Sequence, residues 1–277
     1  VGYRPGGTNR QRGDAAFPRQ YEADKMINYE AGYKGSFAEN TATLSLTAFA
    51  MQWDDYQFEL IDPSYGPCED ESVDKIPGVC GQPYQVGVFN AGDASINGVN
   101  AEFDWNPTDN ISLGMNMEWL DAKTDTDLEL GDLYVETGTS LPLTPDVSGG
   151  VWATYNWTVP SLNANAYARV QWSYSGSRSS GLEYTPFYND DGSANPNPSW
   201  VFPSYNIGDL SVGIQGDVWE VSMFLNNVTD ERAVYSHAAQ GGFTQQNVDE
   251  GRMHVDTVYT NRPREYGIRF IRRFGGG

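Results

Sequence analysis

The sequence holds little that could build a metal or catalytic centre. It contains two histidines, His237 and His254, and two cysteines, Cys68 and Cys80. With the cysteines forming one local pair and no others present, only two histidines remain, which argues against a four-ligand structural zinc site, so no metal is expected. Both cysteines lie in one Pro-, Gly- and Asp-rich stretch. They read as a small disulfide loop made in an oxidising compartment, with two separate thiols as the alternative. Basic charge is also scarce: 17 Lys and Arg stand against 37 Asp and Glu, a net charge of −20. No basic stripe exists for a nucleic-acid partner. No run of about 18 apolar residues occurs, so no transmembrane helix is expected. Gly-x-Ser-x-Gly, His-Glu-x-x-His and phosphate-binding glycine loops are all missing, which leaves no catalytic residue and no cofactor to assign. The opening Val1-Gly2-Tyr3-Arg4-Pro5-Gly6-Gly7 has no initiator Met, charged n-region or apolar h-region, and reads as the middle of a longer polypeptide.

What the chain does have is aromatic residues (13%), 30 glycines and period-two alternation. Side chains on a strand point alternately to opposite faces, so alternation marks a sheet with one apolar and one polar side. Ile27, Tyr29, Ala31, Tyr33 and Phe37 alternate with Asn28, Glu30, Lys34 and Ser36. A strand from about Thr41 to Phe58 carries Leu44, Leu46, Ala48 and Ala50 on one parity, with Trp53, Tyr56 and Phe58 gathered at its far end. Val99 to Trp105, Ile111 to Trp119, Val147 to Trp157, Ala164 to Tyr174, Leu210 to Ile214 and Trp219 to Leu225 repeat the pattern. Several of these strands exceed the five or six residues usual in soluble sheets.

Short turns at 38–40, 106–110, near Pro160 and at 216–217 alternate with long loops at about 59–85, 125–142, 177–202 and 232–258. Tight turns on one side and long loops on the other are the pattern of bacterial outer-membrane barrels, and Trp and Tyr near strand ends are expected to form interface girdles. The last strand has Tyr266, Ile268, Phe270 and Phe274 on one parity and Glu265, Gly267, Arg269 and Arg273 on the other. It reads as the strand that closes a barrel. Arg272 has the apolar parity. That placement would cost roughly 2–4 kcal/mol at the bilayer midplane but only ~0–1 near an interface, so an interface position is expected.

Two other classes fit parts of the pattern. A soluble carbohydrate-binding β-sandwich also alternates, although its strands should be shorter and its loops less asymmetric. A small self-contained barrel enzyme could use Ser236, His237, Asp249 and His254, which share one loop. Asp125, Asp127, Glu129 and Asp132 beside Gly131 are dense enough in oxygen to suggest Ca²⁺, but the spacing is not that of an EF-hand loop. A solvated acidic loop is the simpler reading, as it is for Asp190-Asp191-Gly192.

Three stretches resemble the barrel of TonB-dependent outer-membrane receptors, in family order. Gly2 to Gly7 and then Glu22 through Asn28-Tyr29-Glu30-Ala31-Gly32-Tyr33-Lys34 form the first. Asn90-Ala91-Gly92-Asp93 through Gly98-Val99-Asn100-Ala101-Glu102 forms the second. Leu225-Asn226-Asn227-Val228-Thr229-Asp230 with Tyr235, together with the terminal Phe274, forms the third.

The resemblance implies an all-β fold: an antiparallel transmembrane β-barrel of which residues 1–277 are the C-terminal portion. About nine full strands and a stub are present of an expected 22-stranded barrel, as a partial barrel or open curved sheet, without the plug and N-terminal strands. The implied activity is energised uptake of a scarce ligand, most often a ferric siderophore, across the outer membrane. The implied partners are outer-membrane lipid, the TonB complex through the missing N-terminal part, and the barrel-assembly machinery through the C-terminal strand. Loop aromatics commonly capture bulky ligands. Tyr65, Tyr184, Phe187, Tyr188, Trp200, Phe202 and Phe243, with His237 and His254, are therefore the expected ligand contacts. Loop packing is the alternative use for the aromatics.

Overall fold

The computed structural model describes residues 1–10, 18–61, 86–130, 133–182, 187–188, 194–195, 201–238 and 257–274. Ten strands form one antiparallel sheet in chain order. They are β1 (Gly2–Arg4), β2 (Asp24–Phe37), β3 (Ala42–Asp54), β4 (Ala94–Thr108), β5 (Ile111–Thr124), β6 (Val147–Val159), β7 (Ala164–Ser175), β8 (Tyr205–Gln215), β9 (Trp219–Asn226) and β10 (Glu265–Arg272). β1 and β10 are the two edges and do not pair with each other, so the sheet is a barrel wall that has not closed. The only helix among the described residues is the single 3₁₀ turn Pro160–Leu162.

Register fixes the two faces. One lateral row runs Tyr33, Leu46, Ala101, Met117, Gly149 and Tyr174. Another runs Ala153, Val170, Leu210, Leu225 and Tyr266. Ala, Val, Leu, Met and aromatic side chains cover this face, and many are exposed: Met117, Val151, Val212, Met223, Ile268 and Phe270 among them. In water such a face would be an aggregation surface; against hydrocarbon it is at its free-energy minimum. Phe37, Trp105, Trp157 and Trp219 stand on it close to the four short turns, and Tyr29, Trp119, Trp172, Tyr174 and Tyr266 close to the long loops. Fourteen residues of β2 span ~46 Å at 3.3 Å per residue, enough to cross an apolar band of about 25 Å at a tilt and project beyond it. Arg272 pairs with Trp219 at the short-turn end, and its guanidinium lies 5.3 Å over the Phe274 ring, an edge position rather than a central one.

The opposite face carries Asn, Ser, Thr, Gln, Glu and Arg, interrupted by direct aromatic–glycine pairs. Phe49 faces Gly98, Trp152 faces Gly114, Tyr167 faces Gly213 and Phe224 faces Gly267 across neighbouring strands. Each ring lies over its partner, where a Cβ would collide with it. Glycine thereby covers its exposed backbone with the ring, and the large side chain lies flat on the wall.

Two details differ from the sequence reading. The stretch 106–110 is not all turn: β4 continues to Thr108, and the register shifts between Trp105 and Thr108. Pro107 falls in that gap because it has no N–H to give the ladder. The long strand to Phe58 is broken at Asp55, whose φ is 56°, and pairing resumes as a separate hairpin of Gln57–Ile61 with Val86–Asn90. Comparable small hairpins extend the other long loops: Gly7–Thr8 with Gln20–Tyr21, Leu128–Leu130 with Leu133–Val135, Arg178–Ser179 with Val201–Phe202, and Val234–Ala238 with Thr257–Thr260.

Candidate functional site

The loop side of the wall is held by buried polar side chains at the loop roots. Asp24, 2% exposed, accepts hydrogen bonds from the Arg4 amide (3.2 Å) and Nε (2.8 Å), Trp53 Nε1 (3.0 Å) and the Gln57 amide (3.2 Å), and is ion-paired with Arg4 Nη2. Arg4 lies 4.7 Å over the Trp53 ring and donates to the Gln57 carbonyl. This ion pair is an asset because its lone pairs are filled by donors rather than left in a dry site.

Trp53 stacks edge-on with Tyr56 at 4.5 Å, and Phe58 with Phe89 at 6.1 Å. Trp53 and Tyr56 belong to an apolar cluster with Ala91, Ala94, Ala122, Val135, Leu141 and Leu182. The girdle role expected of these strand-end aromatics is therefore corrected. Trp53 has the parity of Phe49 and Met51, so it packs on the polar side under the loops. Burial pushes the Tyr56 phenol up, against the opposing pull of Arg4.

The motif residues that carried the family resemblance are also loop fasteners. Asn90 accepts from the Glu22 amide and donates to the Glu22 and Asp55 carbonyls, tying the loop before β2 to both ends of the loop between β3 and β4. Asn227, at φ 52°, accepts from the Glu231 amide (2.8 Å) and donates to the Glu231 and Arg262 carbonyls, while its own amide reaches Asp209. Asp230 accepts the Arg264 amide, and Tyr235 stacks edge-on with Tyr205 at 5.6 Å.

The expected contact residues fall as follows. Phe202 is 2% exposed and lies under Arg178, whose guanidinium is 5.5 Å over its ring, so this ring packs a loop root instead of standing free. Arg178 also donates to the Val234 and Tyr235 carbonyls, joining the loop after β7 to the loop after β9. Phe187 and Tyr188 form a two-residue strand paired with Ala194–Asn195, and His237 pairs with Val258 in the last loop. Tyr65, Cys68, Cys80, Tyr184, Trp200, Phe243 and His254 lie outside the described residues.

In the acidic loop, Asp127 accepts the Thr137 hydroxyl (2.6 Å) and amide (2.8 Å), which hold its carboxyl below the ordinary aspartate value, and Asp125 accepts the Ser95 hydroxyl. Among the described residues no group of three or more His, Cys, Asp or Glu side chains is placed to hold a metal ion.

Among the described residues, depressions on each face mark the wall. The larger, about 890 Å³, lies on the apolar face between Ala153, Tyr155, Ala168, Val212, Met223 and Tyr266 and so faces hydrocarbon. The smaller, about 450 Å³, lies on the polar face over Gly150, edged by Asn116, Ser148, Trp152, Arg169, Gln171 and Ser173. Nothing in the sequence pattern marks it, because it is assembled from three strands through register.

An unclosed barrel wall with a lipid-type face, a polar face and clamped loops defines a transmembrane β-barrel domain. The sequence of residues 1–228 matches the family described as TonB dependent receptor-like, beta-barrel, and the chain belongs to that family. Its fold is similar to that of the ferric yersiniabactin uptake receptor FyuA from Yersinia pestis (TM-score 0.62, 19% identity, 99% of this chain and 34% of that one). It also resembles the ferric-catecholate import receptor Fiu from Escherichia coli K12 (0.56, 14%, 95% and 30%) and the siderophore receptor PiuA from Acinetobacter baumannii (0.55, 15%, 92% and 29%). The chain spans about a third of the length of these receptors.

Proposed function

We propose that this chain is the C-terminal barrel portion of an outer-membrane receptor that imports a scarce ligand, a ferric siderophore, with energy delivered by the TonB complex through the N-terminal part of the whole protein. The observation that carries the reading is the two-faced ten-strand wall with tight turns on one side and long clamped loops on the other, in a chain of the TonB-dependent receptor family. The receptors similar in fold are a ferric yersiniabactin uptake receptor, a ferric-catecholate import receptor and a siderophore receptor, which supports iron chelates as the cargo class. In this role the apolar face meets outer-membrane lipid, the loops sample ligand outside, and Phe187, Tyr188 and His237 are contact candidates with Tyr65, Tyr184, Trp200, Phe243 and His254. β10 and Phe274 are the segment offered to the barrel-assembly machinery, and Cys68 with Cys80 closes a loop disulfide. Bond chemistry is left to other proteins.

The test is deletion of the complete gene in its host, followed by ⁵⁵Fe uptake from a panel of chelates under iron limitation. Loss of uptake for one chelate, restored by the complete gene and abolished by removing the TonB energy source, is the expected result. Unchanged uptake of every chelate overturns the reading.

A further inference from the structure

The apolar face of the wall carries one unanswered charge. Among the described residues of the ten-strand sheet, Lys34, Arg169, Arg269 and Arg273 have the polar parity. Lys25, Lys123 and Arg272 have the apolar parity. Lys25 pairs with Asp54 and Lys123 with Asp121, both at the loop ends of their strands. Arg272 stands at the short-turn end, exposed and without a carboxylate partner among the described residues.

Its surroundings are aromatic. Arg272 sits opposite Trp219, and its guanidinium lies 5.3 Å over the exposed Phe274 ring. A ring face orients a guanidinium but leaves the N–H donors of its fork unfilled. At the edge of a bilayer the abundant acceptor is a lipid phosphate, which takes two parallel N–H bonds from such a fork.

From Arg272 the same parity continues inward as an apolar column. Phe270, opposite Val221, is one step of ~7 Å away, and Ile268, opposite Met223, is ~13 Å away. Phe270, Ile268 and Met223 are exposed. One leaflet's share of an apolar band of about 25 Å is roughly 12 Å, so a chain whose phosphate is at Arg272 ends near the Met223 row. The apolar depression of about 890 Å³ begins there, with Met223, Val212, Ala168 and Ala153 among its lining. A hollow with no atoms on one side forfeits dispersion contacts, which a flexible tail end supplies.

We infer that Arg272 and the column beyond it hold one anionic phospholipid of the leaflet that borders the short turns. Arg272 takes the phosphate, Trp219 and Phe274 flank the glycerol region, and the tails run past Phe270 and Val221 into the depression. A headgroup of net negative charge is favoured over a zwitterion, whose ammonium offsets the phosphate at the same guanidinium. The site rests on the two-faced wall and is independent of the cargo.

The experiment uses the complete receptor with Cys68 and Cys80 replaced by serine and one bimane fluorophore attached through Val221→Cys, beside the column. A second preparation carries it through Leu44→Cys, also two residues in from a short turn, on β3, with Gly35 and Phe103 as its cross-strand neighbours. Both are placed in vesicles of phosphatidylcholine with about a fifth phosphatidylglycerol. Bromine, the quencher, is carried on the acyl chains either of the phosphatidylglycerol or of an equal amount of phosphatidylcholine. At Val221 the brominated phosphatidylglycerol should quench about threefold better than the brominated phosphatidylcholine, and at Leu44 the two should quench alike. Arg272→Gln should bring the Val221 ratio close to one, and Arg272→Lys should keep part of the preference. Arg269→Gln, which removes the same charge from the polar face of the same strand, should leave the ratio unchanged.

A Val221 ratio that survives Arg272→Gln overturns the inference, and so does an equal preference at Leu44. If Arg272→Gln fails to assemble, the contrast between Val221 and Leu44 in the otherwise unaltered receptor decides. If neither lipid quenches either label, the apolar face does not meet lipid and the site falls with it.

Discussion

At the scale of single residues, stability concentrates in a few saturated polar groups. Asp24 illustrates the logic: its carboxylate is dry, but Arg4, Trp53 and Gln57 fill it with donors. Asp24→Asn removes the charge that Arg4 answers and turns one acceptor into a donor facing donors. Breaking a buried pair costs about 3–5 kcal/mol, but the Arg4 side chain is 47% exposed and can turn to water, so a loss of about 2 kcal/mol is expected. Urea unfolding of the complete receptor in micelles measures it, and a change below about 0.5 kcal/mol contradicts the role given to Asp24.

Asp127 gives a pH signature. Its folded carboxyl is held below the ordinary value of 3.8 by Thr137, so its contribution is present above that value and is lost as pH falls through the lowered folded pKa. The Thr137 amide should keep constant protection from hydrogen exchange above the ordinary aspartate range and lose it below. Thr137→Val should move that loss to higher pH. These residue contacts were not legible in the sequence: Arg4 and Asp24 are twenty positions apart, and only the β1–β2 register brings them together.

Elements were far more legible than contacts. Period-two patterning is a local property, so β2, β5, β6, β7 and β10 could be read from parity alone. The apolar parity of Tyr266, Ile268 and Phe270 is the exposed face of β10 in the structure. Reading failed where a strand changes its job along its length. Position near a strand end groups Trp53 with girdle aromatics, although its parity matches the polar face. Pro107 suggests a turn because proline usually ends a strand, and the register gap that tolerates it is invisible without the partner.

Loop roots belong to this scale as well. Asn227 holds the loop after β9 by three side-chain hydrogen bonds in a left-handed backbone conformation. Asn227→Ala should cost about 2–3 kcal/mol locally, since it leaves buried backbone groups unpaired and replaces asparagine, which tolerates the left-handed region, by alanine, which does so less readily. The expected readout is faster limited proteolysis within 228–264 while β9 and β10 stay protected. Equal cleavage of mutant and wild type would show that the root is held by something else.

At the scale of the whole molecule, one division explains most of the sequence: an apolar face, a polar face, tight turns at one end and clamped loops at the other. It accounts for a chain poor in long apolar runs that still presents a continuous apolar surface, because the hydrophobic residues are spaced by two and summed across ten strands. It also accounts for motif residues that fasten loops, as Asn90 and Asn227 do. The polar-face depression over Gly150 was not legible because its parts come from β5, β6 and β7 and meet only in the assembled sheet.

The most direct test of the two-faced wall is a spin-label scan along β7 in the complete receptor, with Cys68 and Cys80 replaced by serine and the protein in outer-membrane vesicles. Labels at Ala166, Ala168 and Val170 should collide freely with lipid-soluble oxygen and hardly with a water-soluble nickel chelate. Labels at Arg169, Gln171 and Ser173 should show the reverse, or exclusion of both. Accessibility that does not alternate, or alternation with the polar parity facing oxygen, would contradict the assignment of this sheet to a membrane-spanning barrel.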